Sequence, residues 1–575
     1  MLLTKKVDRP RELKWYQAGS MLYGDWGTSK AYVLGIAFAM AGHASWFFLG
    51  LMSVLTAIVG ICYMTICRLY PDGGGVYSSV KNRSQSLAVM GALLLIADYV
   101  VTASLSAIEA FHYFNFPHPE LWAILSIVII GAMNWVGPSE GGRVAAFIAV
   151  AASVAAGILF VSTLPHLPHV ELSWPQGNLP QNWSVFVGIV LSLSGVEAVA
   201  NMTGIMVEPV EETSRKSIFP VLLEVSVLTF LLGIAMNAIP HLTGHTEDML
   251  RMLGNHYIGN WYGQIISVIF GFLLLSAVNT AITGLVSMQF ILSKDREIPS
   301  LFSRLNRFGM PWLSLLIAVV LPILVLLFEH DVVGLASLYA IGVVGAIVLN
   351  LGACATNFHL RMKTWERTLL ISVSVILFFV EVTICFQKHH ALIFASTVLA
   401  TGLILRFFTK TFLPTPAPVL VGSEINVLTV EEAKEIAALY NSSVLVGLRG
   451  FNPYLLEEAA FRAKALKNNA IYINYVDVAP PGFELPKEIE PTPEALQLFA
   501  ESEKELEKYG LTAVPIWQFG NDPGKQISIA ARELGVGTVM IGSTKRSGLV
   551  SLLRGDILRT LAKNLPRKCH LVISS

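Results

Sequence analysis

Long apolar runs dominate the first 410 residues of the chain. Twelve of these runs are long enough to cross a bilayer, at about 17–42, 45–68, 86–113, 121–138, 144–164, 185–206, 217–239, 261–291, 312–329, 332–354, 368–387 and 390–408. A membrane-spanning helix needs about 20 mostly apolar residues. The pattern therefore predicts an all-α polytopic membrane protein with twelve transmembrane helices.

The charge density changes after residue 408. A proline-containing segment follows, and the chain beyond it has the alternating apolar and charged character of a globular protein. We therefore expect a transmembrane transporter domain over 1–410, a linker over 411–440 and a cytoplasmic domain over 441–575. Its short β-branched runs alternate with amphipathic helices, which predicts an α/β doubly wound parallel sheet.

The basic residues predict the orientation of the spans. If the spans alternate in direction, one set of loops and the N-terminal segment carry eighteen Lys and Arg residues, whereas the other set carries only Arg251 and Lys388. Cytoplasmic loops hold the excess of basic residues in membrane proteins. The sequence thus predicts a multi-pass protein of the cell membrane with both termini in the cytoplasm.

Composition narrows the class of function. With 54% hydrophobic and 14% charged residues, the chain is too apolar for a soluble protein of this length. No basic run suggests nucleic acid, and the five cysteines lack metal-ligand spacing. We expect a transporter and not an enzyme. The expected partners of this transporter are the lipid bilayer and a small ion or small-molecule substrate.

Two spans are interrupted at matching positions. The first contains the run GDWGTS (24–29), and the sixth contains SLSGVE (192–197). Interrupted helices near the membrane midplane leave carbonyl groups and helix ends free to bind substrates and ions. The five-span separation predicts a five-plus-five inverted repeat with broken helices 1 and 6, to which helices 11 and 12 are additions.

Polar side chains in four spans form the candidate site. Asp25 and Asp98 would each cost about 2.5 to 3.5 kcal/mol at membrane depth, so idle carboxylates are not expected there. Thr102 shares a helix face with Asp98, while Ser194 and Tyr339 offer hydroxyl groups. These oxygens suit a partly dehydrated cation or the ammonium of an amino acid. The hydroxyl groups could instead serve only the helix backbone.

Two further ionisable residues have alternative roles. Glu197 either stabilises the break in the sixth span or takes part in coupling. Lys30 either forms an ion pair with Asp25 or Asp98, or supplies a positive charge in place of a coupling cation. The sequence leaves both alternatives open.

The first span resembles the signature of the KUP family of potassium uptake permeases. That signature reads GDIGTSPLY, and residues 24–32 read GDWGTSKAY, with six of nine positions identical. KimA-type relatives, members of the amino acid-polyamine-organocation superfamily, carry similar patterns elsewhere. Their third span has an Asp-Tyr pair followed by Thr, which is similar to Asp98, Tyr99 and Thr102 here. Their sixth span has Thr-Gly-Val-Glu-Ala, which resembles residues 194–198, and their tenth has Leu-Tyr-Ala-Val-Gly-Val, which resembles residues 338–343.

The resemblance implies a secondary transporter that imports potassium with protons. It implies a potassium site formed by Asp25, Tyr32, Asp98, Thr102, Ser194 and Tyr339, with Asp98 or Glu197 as the proton acceptor. Lys30 departs from the signature, which has proline there, so a proton-coupled amino acid or polyamine permease is the alternative. A membrane-bound sensor with a vestigial transport domain is the third hypothesis.

The C-terminal domain resembles the universal stress protein family. Its nucleotide-binding members carry G-x2-G-x9-G-[ST] after the fourth strand. Here Lys545 replaces the second glycine and Asp556 replaces the hydroxyl residue, which disfavours ATP because a carboxylate repels phosphate. A regulatory nucleotide bound in another orientation than ATP could use the candidate phosphate-binding residues Gly542, Lys545, Arg546 and Gly555. The alternative is a subunit-docking domain, for example in a homodimer; no other cofactor is expected.

Overall fold

The computed structural model describes residues 5–6, 11–81, 83–136, 141–170, 172–193, 195–239, 242, 247–306, 308–412, 426–437, 440–478, 488–489, 491–520, 522–542 and 557–574. The chain forms two compact units. One is Arg11–Phe412, and the other contains Leu413–Pro481 and Leu485–Ser575 together with Met1–Pro10. Each unit has its own hydrophobic core.

The first unit is helical. Its first half contains α1 (Trp15–Trp26), α2 (Ser29–Ala41), α3 (Ser45–Leu69), α4 (Val76–Lys81), α5 (Gln85–Tyr113), α6 (Pro119–Trp135), α7 (Gly141–Thr163), α8 (Leu179–Gly188) and α9 (Ala198–Asn201). Its second half contains α10 (Val210–Ala235), α11 (Met249–Tyr257), α12 (Asn260–Lys294), α13 (Trp312–Phe328), α14 (Val332–Ala355), α15 (Thr364–Gln387) and α16 (His389–Phe412).

Eight helical stretches of the described residues are long and apolar enough to cross a membrane. The first of them, Trp15–Leu69, includes both α1–α2 and α3, and the shorter helices α6 and α13 are also apolar. The all-α membrane class is confirmed, whereas the exact count of twelve spans and the inverted repeat stay predictions.

Both predicted interruptions occur in the structure. The first span divides into α1 and α2, and Gly27 and Thr28 lie between them. The sixth span divides into α8, a short 3-10 turn over Val190–Leu193, α9 and a second 3-10 turn over Thr203–Ile205. Helix α5 is the most enclosed of the long spans, with α12 and α14 packed along it.

The C-terminal unit contains the predicted parallel sheet. Its strands are β2 (Val444–Leu448), β3 (Ala470–Val478), β5 (Thr512–Gly520), β6 (Thr538–Gly542) and β7 (His570–Ser574), in the order β5-β3-β2-β6-β7. All four pairings in this sheet are parallel, and helices α18 (Pro453–Ala465), α19 (Pro493–Glu507), α20 (Pro523–Glu533) and α21 (Ile557–Asn564) connect the strands. The doubly wound α/β class is confirmed.

Two short elements complete this unit. Strand β1 (Lys5–Lys6) pairs antiparallel with β4 (Glu488–Ile489), so the start of the chain groups with the C-terminal unit. Helix α17 (Val430–Glu435) begins with a capping box in which Thr429 and Glu432 hydrogen-bond each other's backbone N–H groups. Both elements are local additions to the sheet.

Candidate cation-binding site

Three carboxylates are buried together in the membrane unit. Asp25 lies near the end of α1, Asp98 lies in the middle of α5, and Glu197 immediately precedes α9. Their side chains are 4%, 1% and 4% exposed. All three interact electrostatically with one another. The site is therefore closed to solvent and strongly acidic.

Two close backbone contacts bring these carboxylates together. A Cβ atom at Gly195 would lie 2.6 Å from the backbone nitrogen of Trp26, so the break in the sixth span rests directly on the end of α1. A Cβ atom at Gly342 in α14 would lie 2.7 Å from the backbone nitrogen of Asp98. Glycine at both positions lets the helices approach more closely than any other residue would allow.

Gly195 provides a test of this packing. Its φ of +89° is unfavourable for other residues, and an alanine there would also collide with the Trp26 backbone. The left-handed conformation alone costs about 1–2 kcal/mol for a residue with a Cβ atom. We expect Gly195→Ala to abolish transport by the purified and reconstituted protein, measured as uptake of a radioactive tracer ion.

The matched control is Gly157→Ala in α7, where a Cβ atom would meet nothing within 4 Å. This variant should transport as well as the unmodified protein. Normal transport by Gly195→Ala would show that the two broken spans need not touch.

Hydroxyl groups line the space between the carboxylates. The Tyr32 and Tyr339 phenols, both buried, interact electrostatically with Asp25 and Asp98. Thr102 donates to the backbone carbonyl of Asp98 at 2.9 Å and lies 3.4 Å from its Oδ1. The structure thus brings five of the six predicted substrate ligands to one region, while Ser194 lies outside the described residues.

Several oxygens of the site have no side-chain partner. Among the described residues, no side chain donates a hydrogen bond to either carboxylate oxygen of Glu197, and the Tyr339 hydroxyl has no hydrogen-bond partner. The described residues also contain no cluster of three His, Cys, Asp or Glu side chains placed to chelate a metal ion. The arrangement offers a mixed set of carboxylate, phenol and hydroxyl oxygens, which can replace part of the hydration shell of a cation.

The charge of the site requires a positive ligand. Within the described part of the chain, no Lys or Arg forms an ion pair with any of the three carboxylates. Buried uncompensated carboxylates are costly, so they must bind protons or another cation. The site can therefore hold protons or another cation.

Lys30 has a partner that the sequence did not reveal. Its side chain is fully buried in α2, and its Nζ lies 2.7 Å from both carboxylate oxygens of Glu224 in α10. The Tyr23 hydroxyl accepts from Nζ at 3.0 Å and donates to Glu224 at 2.9 Å. Of the two alternatives for Lys30, the ion pair with Asp25 or Asp98 is not formed, because the ammonium points toward α10.

A signal for Glu224 was present in the chain. It is the one ionisable residue in the apolar run 217–239, and carboxylates at membrane depth normally have a partner or a function. The triad of Lys30, Tyr23 and Glu224 connects both halves of the first span to α10. It also pairs the charge of the lysine with a carboxylate outside the cluster of Asp25, Asp98 and Glu197.

Comparison with known proteins agrees with these observations. A family model described as amino acid permease matches residues 13–429. The chain belongs to the amino acid permease family. The model of the universal stress protein family matches residues 443–572, so the permease ends in a universal stress protein domain, as predicted. It is a multi-pass membrane transporter and not an enzyme.

Individual proteins similar to the permease include two curated relatives. The potassium transporter KimA of Bacillus subtilis is 23% identical over 501 residues, covering 81% of this chain and 80% of KimA. The uncharacterized protein MJ0609 of Methanocaldococcus jannaschii is 24% identical over 316 residues, covering 51% of this chain and 71% of the relative. The KimA-type resemblance is confirmed.

A solved structure also aligns with the permease. It is the manganese transporter of Eremococcus coleocola, which is 11% identical and covers 70% of this chain and 97% of its own, with a TM-score of 0.46.

Arg11 connects the segment before α1 to two other parts of the permease. Its guanidinium donates to Asp72 at 2.6 Å and to the carbonyl oxygens of Pro71 and Thr203 at 3.1 Å. These contacts join the segment before α1 to the chain after α3 and to the end of the sixth span. Leu13 strengthens the junction through backbone hydrogen bonds with residues 205 and 207.

The predicted phosphate-binding residues of the C-terminal domain are only partly placed. Gly542 is the last residue of β6, at the carboxyl end of the parallel sheet, where ligands bind in doubly wound folds. Lys545, Arg546 and Gly555 lie outside the described residues.

Proposed function

We propose that this permease imports potassium ions and couples their uptake to protons. The observation that carries the proposal is the closed, acidic site formed by Asp25, Asp98 and Glu197. Phenol and hydroxyl oxygens beside these carboxylates can replace part of the hydration shell of a monovalent cation. The similarity to the potassium transporter KimA over most of both chains supports the same substrate.

The position of Lys30 favours an inorganic cation over an amino acid. An amino acid brings its own carboxylate, which needs a free positive or N–H-rich partner in the site. Lys30 is engaged by Glu224 and Tyr23, so its ammonium is not available for this role. The side chains that remain around Asp25 carry oxygen atoms suited to a cation.

We assign the coupling proton to Glu197. Its two carboxylate oxygens have no hydrogen-bond partner among the described side chains, unlike Asp98, which has Thr102 within reach. A carboxylate at the break of the sixth span can lose its proton when the site opens to one side and regain it when the site opens to the other. For import of both ions, the protonated form must be the one that carries the cation across, so Glu197 gains its proton on the outer side and loses it on the cytoplasmic side.

The experiment that tests the proposal is rubidium uptake by the full-length protein in vesicles. Rubidium is a tracer for potassium, and an imposed pH gradient tests the coupling. We expect rubidium uptake to be faster when the exterior is acidic. Potassium should inhibit it by competition, and amino acids or polyamines should have no effect on it.

Two results would overturn the proposal. Accumulation of an amino acid or a polyamine without rubidium flux would favour the permease alternative. A lack of flux with any of these substrates, from protein that elutes as a single folded species, would favour the membrane-bound sensor with a vestigial transport domain.

The orientation and the regulatory role of the C-terminal domain are part of the same proposal. The excess of basic residues in one set of loops supports cytoplasmic termini. In that compartment the domain could bind a nucleotide beyond β6 or dock a second copy of the chain as a homodimer. Direct binding of labelled nucleotides to the full-length protein, together with its mass in detergent, would separate the two roles.

A further inference from the structure

A fourth carboxylate lies buried beyond the central site. Glu109 is 0% exposed, and neither of its carboxylate oxygens has a hydrogen-bond partner among the described residues. It lies eleven residues after Asp98 in α5, which is close to three helical turns, so the two carboxylates share one face of the helix. Neither the coupling scheme nor the central site uses it.

Glu109 has charged or polar neighbours on two sides. Toward the centre it interacts electrostatically with the phenol of Tyr32, a ligand of the proposed potassium site. Toward the end of α5 it interacts with Glu247 and Asp248, which precede α11. The hydroxyl of Tyr113 donates to the carbonyl of Ala31 at 2.9 Å and holds this end of α5 against α2.

The outer carboxylates have partners of their own. Glu247 lies 2.9 Å from Nδ1 of His112, and this hydrogen bond lowers the pKa of the Glu247 carboxyl. Asp248 lies 3.7 Å from Arg251. The Glu247 side chain is 42% exposed and that of Asp248 is 25% exposed, so carboxylate groups follow one another from the surface to Glu109. A cation that enters from this side meets carboxylate oxygens before it reaches Glu109.

We propose that Glu109 forms a second alkali-cation site, between the outer carboxylates and the central site. The inference rests on the proposed function, because it assigns the approach path of the same substrate. The charged carboxylate of Glu109 has no hydrogen-bond donor beside it, and the protonated carboxyl has no hydrogen-bond acceptor, among the described residues. Without a ligand, the hydrogen-bonding capacity of either form is unsatisfied. A cation arriving from Glu247 would satisfy it and could then pass to Tyr32.

Equilibrium binding of rubidium tests this site on the purified full-length protein in detergent. We expect the unmodified protein to bind two rubidium ions per chain. Asp25→Asn and Glu109→Gln should each bind one, and the double variant should bind none. In vesicles, Glu109→Gln should raise the rubidium concentration for half-maximal uptake about tenfold while retaining the maximal rate at saturation.

A matched control is Glu381→Gln in α15, which removes another carboxylate with an unpartnered buried oxygen. It should still bind two ions. Glu109→Asp keeps the charge and should keep the second ion with weaker affinity, which guards against a folding defect in Glu109→Gln.

The outcomes separate this inference from the proposed function. A single ion per chain, lost in Asp25→Asn, would overturn the second site and leave the potassium importer intact. A second ion that persists in Glu109→Gln would also overturn it. The absence of rubidium binding and flux from the unmodified protein would overturn the proposed function itself.

Discussion

Asp25→Asn is expected to abolish rubidium uptake while leaving expression and folding unchanged. The side chain is nearly isosteric, but it removes one of the three carboxylates that face the closed site. No described side chain donates a hydrogen bond to this carboxylate, so folding does not depend on its charge. We expect cation binding to weaken by at least about 100-fold, or about 2.8 kcal/mol, which leaves the central site empty at the rubidium concentrations used. Vesicle uptake over a range of rubidium concentrations measures the effect.

Asp331→Asn is the control for this change. Asp331 caps α14 by accepting from the backbone N–H of Gly334 at 2.9 Å, and asparagine caps helices equally well. This variant should therefore transport normally. Uptake by Asp25→Asn at the unmodified rate and affinity would remove Asp25 from the site.

Lys30→Met is expected to destabilise the membrane unit strongly. It leaves Glu224 without the ammonium that both of its carboxylate oxygens contact at 2.7 Å, inside a largely buried triad. Breaking a buried ion pair by removing one partner typically costs about 3–5 kcal/mol. The loss of stability should appear as a lower midpoint of thermal unfolding. The midpoint is measured by gel filtration of the detergent-purified protein after heating.

The double variant Lys30→Met and Glu224→Met separates structure from transport. Apolar replacement of both partners often restores stability, because no buried charge is left alone. If transport also returns, the pair serves folding only. If the protein is stable but inactive, the pair takes part in the transport cycle.

The control for the loss of a lysine is Lys216→Met. Lys216 pairs with Glu212 one turn earlier in α10, and its side chain is 53% exposed. Solvent screens this pair, so the unfolding midpoint should not change measurably. A midpoint for Lys30→Met equal to that of this control would contradict the structural importance of the triad.

Much of the fold follows from local patterns in the chain. The strand-length runs of the C-terminal domain and the glycine-containing breaks in the first and sixth spans appear in the structure near the predicted positions. These features depend on periodicity and on backbone conformation, which neighbouring residues determine. The count of twelve spans stays a prediction, since α6 and α13 are short and the sixth span is divided.

The candidate site was less accessible to sequence reasoning. Asp25 and Asp98 attract attention because carboxylates are rare in apolar helices, and the structure brings both together with Tyr32 and Tyr339. The same rule applies to Glu109 and Glu224, which were missed because they lie outside the motifs that carry the family resemblance. The roles of all these residues stay predictions.

The sequence by itself determined the membrane class, the division into two domains and the places where helices break, because hydrophobic length and glycine content act locally. Only the tertiary structure decided the partner of Lys30. The residue lies 194 positions from Glu224, and nothing in either neighbourhood specifies which helix faces which. Packing of α2 against α10 made that choice, and it turned the ammonium away from the two aspartates.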